Sequence, residues 1–178
     1  MEESMRSLKS FAITGPESTG KSALAQTLAT HYQTAYLPEF ARTYLEESGP
    51  KYTYETVVYI AEQQLLQQTN FLKKAPSPCF FDTDLMVCRI WLEFVFGKCP
   101  SHILQASKEA VFTHTFLMDI DLPWQEDPLR EHPAQRKELF ELYLNSLELA
   151  RRPFTIISGI GDLRAQAARD VVDSFMKG

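Results

Sequence analysis

The sequence is poor in cysteine: it has only Cys79, Cys88 and Cys99, an odd number in 178 residues. No disulfide framework can be built from them, and a reducing cytoplasm is the expected setting. No Lys/Arg run exceeds two residues, and the formal net charge is -5. That argues against a polyanion-binding surface, so nucleic acid is not an expected partner, while a small local phosphate site stays open. The apolar runs are a few residues each, far short of the roughly 20 that span a bilayer. The opening MEESMRSLKS has no signal-peptide stretch, so no membrane partner is expected. Repeats, low-complexity segments and clear linkers are also missing. The length fits one domain over residues 1–178.

What the chain does have is alternation. Short apolar runs at 10–15, 34–39, 78–84, 114–121 and 154–159 read as strands from their β-branched and aromatic content. Helical spacing fills the intervals at 21–32, 53–74, 84–96, 100–111, 134–150 and 161–176. Leu24, Ala25 and Leu28 mark one buried face, as do Val57, Ile60, Ala61 and Leu65. Leu139, Tyr143 and Leu147 mark another; Leu163, Ala167, Val171 and Phe175 a fourth, with Asp162 as a possible cap. This order predicts an α/β fold, a parallel sheet with helices on both faces.

Between the first strand and helix lies GPESTGKS, with Gly15, Gly20, Lys21 and Ser22 at the G-x-x-x-x-G-K-S spacing. A random chain of this length matches that pattern roughly once in a few hundred. Glycines let successive N–H groups turn inward around an anion, and the following helix offers free N–H groups and a positive dipole end. Gly15, Pro16, Glu17, Ser18, Thr19, Gly20, Lys21, Ser22 and Ala23 are therefore the expected triphosphate cradle. Lys21 would reach the β- and γ-phosphates, and the Ser22 hydroxyl would ligate Mg2+.

Three acids belong at the same edge of the sheet, where open parallel sheets bind ligands. Asp82 and Asp84 end the third run in FFDTD. Either could hold the water shell of Mg2+, and Asp84 could instead cap the helix beginning at Leu85. Glu39 ends the second run in LPEFAR, with Arg42 one helical turn on. Glu39, or else Asp82 or Asp84, could orient a hydroxyl acceptor and take its proton; for Glu39 the alternative is a helix-start glutamate paired with Arg42 on the surface. Tyr36 could stack on a flat substrate or serve the core.

The stretch 121–136, DLPWQEDPLREHPAQR, holds Pro123, Pro128 and Pro133 and so should not form a long helix. Its Arg130 and Arg136 would supply charge over the phosphates if the segment closes as a lid. A solvated loop with surface arginines is the alternative.

GPESTGKS, PEFAR, the DTD after an apolar strand, and DLPWQEDPLR followed by Arg136 together resemble the nicotinamide riboside kinase domain of NadR-type bacterial proteins and related small AAA-type ATPase/kinase proteins. The resemblance runs through nearly the whole chain in motif order. It implies a three-layer P-loop kinase fold with a five-stranded parallel sheet flanked by helices. The implied activity moves the γ-phosphate of ATP to the 5′-hydroxyl of nicotinamide riboside. It also implies that Asp82 and Asp84 serve Mg2+ and the ribose side, that Glu39 and Arg42 face the acceptor, that Arg130 and Arg136 belong to the lid, and that SGIGDLR lies near the adenine. The lid departs from the family's Asp-Gly-Leu-Arg: it reads Asp127-Pro128-Leu129-Arg130.

Other features carry less. Cys99 and His102 lack the second pair a zinc site needs. His31, His114 and His132 stand alone. Trp91, Phe94 and Phe96 read as a packing face or as an apolar wall of the acceptor pocket. A nucleotide-driven ATPase or GTPase switch is the competing class; the guanine-reading N-K-x-D sequence is absent.

Overall fold

The computed structural model describes residues 8–177; the polar opening read above for a signal peptide lies mostly outside them. Five strands form one parallel sheet: β1 (Ser10–Thr14), β2 (Tyr36–Leu37), β3 (Cys79–Asp82), β4 (His114–Met118) and β5 (Phe154–Ile157), in the order β2-β3-β1-β4-β5. Residues alternate between its two faces. Phe11, Ile13, Phe80, Phe116 and Met118 point to one side, Ala12, Phe81 and Leu117 to the other. Both faces of β1, β3 and β4 are covered, which explains why these strands read as apolar runs, while the edge strand β5 leaves Ile156 exposed. Phe11 stacks on Phe80 and Phe116, with ring centroids 5.7 and 5.8 Å away. Each such fully buried ring contributes about 1.5–3 kcal/mol.

Helices α1 (Lys21–His31) and α7 (Asp162–Met176) cover the first face. On the second lie α2 (Phe40–Ser48), α3 (Tyr54–Leu72), α4 (Leu85–Phe96), α5 (Ser101–Glu109) and α6 (Arg136–Leu149). The faces expected for α1, α3 and α6 are buried, although Leu65 is only half so. On α7 the buried stripe is rotated by about one residue: Arg164, Ala165, Ala168 and Val172 face inward and Leu163 faces solvent. A charged residue stands at an inward position there, and the apolar count missed it. Asp162 is the first helical residue rather than the cap, which is Gly161.

Three further differences have local causes. α2 was not expected as a separate element; its apolar residues Phe40, Ala41, Tyr44 and Leu45 fill one side of only nine residues. β2 has just two residues because Pro38 cannot donate to a ladder and α2 begins at Phe40. β4 stops at Met118, and Asp119 and Asp121 bond instead to the turn after β5.

Candidate active site

The central strand β1 delivers its loop between the carboxyl ends of β3 and β4. Gly15 has φ 134°, and a Cβ there would lie 3.1 Å from the Met118 carbonyl, so only glycine lets the chain turn this close to β4. Gly20, at φ 80°, precedes α1. That helix has no side-chain cap and no acid in its first turn, so its first N–H groups are left for a ligand. The Thr19 hydroxyl donates to the Pro16 carbonyl at 2.8 Å and the Lys21 ammonium to the same oxygen at 2.7 Å, holding the lysine over the loop. Burial lowers the Lys21 pKa; the carboxylates of Glu39, Asp82 and Glu17 oppose that shift.

Asp82 is the last residue of β3, in register with Ile13, and Thr83 then donates its N–H to the Ile13 carbonyl at 3.0 Å. This puts the Asp82 carboxyl beside Ser22 and Lys21. Burial raises its pKa, and its Oδ1 has no hydrogen-bond partner. Glu39 occupies the cap position of α2 but makes no side-chain capping bond. Gln64 of α3 accepts the Phe40 N–H at 3.0 Å in its place, which leaves the Glu39 carboxyl free to face Lys21. Burial raises the Glu39 pKa, Lys21 lowers it, and Asp82 raises it again. A serine near an aspartate with an unsatisfied oxygen suits Mg2+, which takes few protein ligands and keeps its waters. Among the described residues no three His, Cys, Asp or Glu side chains gather into a metal cage.

Asp84 goes elsewhere. Thr83 takes a positive φ of 70°, and Asp84 turns into the interior, 0% exposed. It bonds Arg152 at 2.5 Å, and Arg152 also donates to the Ser107 carbonyl at 2.6 Å. It sits at the cap position of α4 without capping it. An ion pair this dry is costly to break from one side, because the remaining charge has no water. Tyr36 also stays out of the cleft and packs against the Phe11–Phe80 core.

Residues 121–135 form no regular helix, and they lie over the loop. The Glu17 carboxylate accepts the N–H groups of Glu131 and His132, both at 3.1 Å. The Ser18 hydroxyl accepts the Gln125 N–H at 2.9 Å. Arg136, at the start of α6, is half-buried and donates to the carbonyls of Leu122 at 2.9 Å and Ser18 at 3.1 Å. In this arrangement it fastens the segment to the loop with two carbonyl bonds. Arg130 lines the cleft and donates to the Gln125 carbonyl at 2.8 Å. Arg42 meets Asp127 at 3.1 Å and Glu46 at 3.2 Å. Pro128 fits its place: the Arg130 N–H closes a turn onto the Asp127 carbonyl at 3.0 Å, with proline second in the turn.

These parts enclose a cleft of about 730 Å³, lined by residues 15–23 together with Glu39, Arg42 and Arg130. The rest of its lining is largely apolar and includes Leu45, Tyr52, Val87, Trp91, Phe94 and Tyr143. Tyr52 meets Trp91 edge to face at 4.7 Å. Trp91 and Phe94 both pack and line the cleft, whereas Phe96 packs on Tyr52 and Tyr54 and does not line it. Tyr52, in the link between α2 and α3, carried no sequence signal; Tyr143 was read from its spacing on α6 only as core.

Comparison with known proteins agrees with this layout. The chain is 26% identical over 149 residues to the trifunctional NAD biosynthesis/regulator protein NadR of Escherichia coli (strain K12), covering 79% of this chain and 36% of that protein. The chain therefore spans about a third of the length of the relative it matches. Among solved structures, NadR protein in complex with NR matches with a TM-score of 0.76 at 18% identity, over 96% of this chain and 52% of that one. NadR protein in complex with NAD and AMP-PNP matches with a TM-score of 0.74 at 18% identity, over 93% and 49%. The P-loop kinase fold and the resemblance to NadR-type proteins are both borne out. The family model described as AAA domain matches residues 10–165, and the chain belongs to that family.

Proposed function

We propose that the chain is a Mg·ATP-dependent kinase that phosphorylates an alcohol of a nucleoside-like small molecule, with the 5′-hydroxyl of nicotinamide riboside as the leading acceptor. The observation that carries this reading is one cleft with two unlike kinds of lining. The phosphate loop with Lys21 and Ser22, beside Asp82 and the Glu39 carboxyl, makes the phosphate end of this reading, and the aromatic wall at Tyr52 and Trp91 makes its acceptor end. A pure nucleotide switch has no need of the second end. The NadR structures with NR and with AMP-PNP support both ligands by likeness.

In this reading the loop N–H groups and Lys21 hold the β- and γ-phosphates. Ser22 and Asp82 would hold Mg2+, which supplies charge neutralisation at the phosphate oxygens. Glu39 orients the acceptor hydroxyl and accepts its proton as the oxygen–phosphorus bond forms and the bond to ADP breaks. Its raised pKa makes it a better base than an ordinary carboxylate. Arg130 faces the developing charge, and residues 121–136 act as the lid that keeps water out. Residues 1–178 would act as one kinase domain in the cytoplasm, where the thiols of Cys79, Cys88 and Cys99 stay reduced.

The test is a panel of nucleosides and small alcohols with Mg·ATP, scored by phosphorylated product and ADP release. Acceptor-dependent turnover, strongest with nicotinamide riboside, is expected. ADP release at one rate with or without any alcohol would instead mark a switch.

A further inference from the structure

One buried guanidinium connects three loops of the nucleotide edge. Arg164, on the first turn of α7, is 5% exposed. Its Nη1 donates to the Thr19 carbonyl of the phosphate loop at 2.7 Å. Its Nε donates to the Gly159 carbonyl, in the turn after β5, at 2.9 Å. Its Nη2 pairs with the Asp121 carboxylate, beyond the end of β4. Asp121 in turn accepts the Gly159 N–H at 2.6 Å. The phosphate loop, the base of the lid and the turn after β5 therefore share one charged centre.

The contact to Thr19 has a directional consequence. In a trans peptide the carbonyl and the N–H of the next residue point in opposite directions. Thr19 is 1% exposed, and its carbonyl is drawn inward to Arg164. The N–H of the same peptide unit belongs to Gly20, so it is turned the other way, toward the cleft the loop lines. Peptide orientation is the soft variable in an anion nest, since a glycine at φ 80° can rotate where another residue could not. We propose that Arg164 is a positioning residue for nucleotide binding: it fixes the Thr19–Gly20 peptide so that the Gly20 N–H is aimed at the phosphates before they arrive. Lysine could keep the charge but lacks the rigid fork that reaches three partners at once.

This rests on the nucleotide reading above, so binding is measured apart from turnover. The variants are R164M, R164K and D121N, each checked for thermal stability, with calorimetric titration of Mg·ATP and of Mg·triphosphate without a base. D121N removes the ion pair but leaves an oxygen for Gly159 and leaves Arg164 on Thr19. R164M should weaken both ligands about tenfold, R164K should recover only part of that, and D121N should lose about twofold, while the acceptor KM stays level. Equal losses in R164M and D121N would show that Arg164 only holds the fold, and overturn the proposal. So would ATP weakening in R164M with triphosphate unaffected. If the wild-type protein takes up neither ligand, the kinase reading fails instead. Amide exchange at Gly20 then decides this inference alone: faster exchange in R164K than in D121N supports it, and equal exchange overturns it.

Discussion

The two ends of the cleft are built differently. The phosphate end comes from nine consecutive residues, Gly15 to Ala23, and is held largely by backbone geometry. The acceptor end of the proposed site gathers side chains from α2, the α2–α3 link, α4 and α6, elements far apart in the sequence. A site made of backbone tolerates almost any fold-compatible neighbour but few changes within itself. A site made of side chains can be re-cut one residue at a time, which is how one architecture accepts many alcohols. The sharpest way to break the comparison is Lys21→Ala. It should cut phosphoryl transfer about a thousandfold without lowering thermal stability, because burial makes this charge a burden on the fold. Activity within tenfold of wild type would mean that the loop does not hold the transferred phosphate.

Glu39 stands at the phosphate end, where the acceptor hydroxyl would meet the γ-phosphate, and the next largest effect is expected there. Glu39→Gln should lower kcat about a hundredfold and leave ATP affinity level. Its pKa is raised in the fold, chiefly by burial. A base must be unprotonated, so kcat/KM should climb with pH through a value above the ordinary carboxylate range, and the variant should lose that limb. For stability the sign runs the other way. A carboxyl whose folded pKa is raised favours the fold below its unfolded pKa, and that advantage is lost as pH rises through the folded value. Glu39→Gln should therefore melt higher than wild type at neutral pH, with the gain vanishing in acid. A variant that melts lower at neutral pH would show that the carboxylate is supported rather than strained.

The contrast between the two ends also explains what could be read from the sequence. All five strands follow from apolar, β-branched and aromatic runs and the helices α1 and α3 to α7 from apolar spacing, because the central strands are buried on both faces and each of these helices buries one side. The phosphate loop was legible because its chemistry needs residues that are neighbours in the chain. Asp84 was misplaced because a strand end indicates an edge, whereas the backbone turn at Thr83 and the distant Arg152 decide where the carboxyl goes. The partnership of Arg42 with Asp127 spans 85 positions and has no local trace. Arg164 was included only as the last residue of SGIGDLR; its inward position was missed because the helical face was drawn one residue off.

Trp91→Ala tests the acceptor end with a smaller expected effect. The indole forms the wall together with Tyr52, its edge-to-face partner. Truncation should raise the acceptor KM about tenfold while kcat and ATP affinity move little. A loss of ATP affinity instead would assign the aromatic wall to the nucleotide and erase the difference between the ends.

The smallest effect belongs to the contact that bridges the two ends. Asp127, in the lid, accepts the Leu129 N–H at 2.9 Å and pairs with Arg42 at 3.1 Å. Those contacts, the backbone N–H first, hold its pKa below the usual value. An acid shifted this way supports the folded lid above its unfolded pKa, and the support is lost as pH falls through the folded value. The pair is partly open to water, so its worth is modest. Asp127→Asn should raise the acceptor KM about two- to threefold at neutral pH and speed amide exchange at Leu129 and Arg130, while the Glu17 contacts still hold Glu131 and His132. As pH falls the wild-type amides should approach the variant's exchange behaviour, after correction for the intrinsic rate, because protonation removes the same charge. Variant and wild type that stay apart at low pH would show that the turn is held by the hydrogen-bonding pattern of Asp127 rather than by its charge.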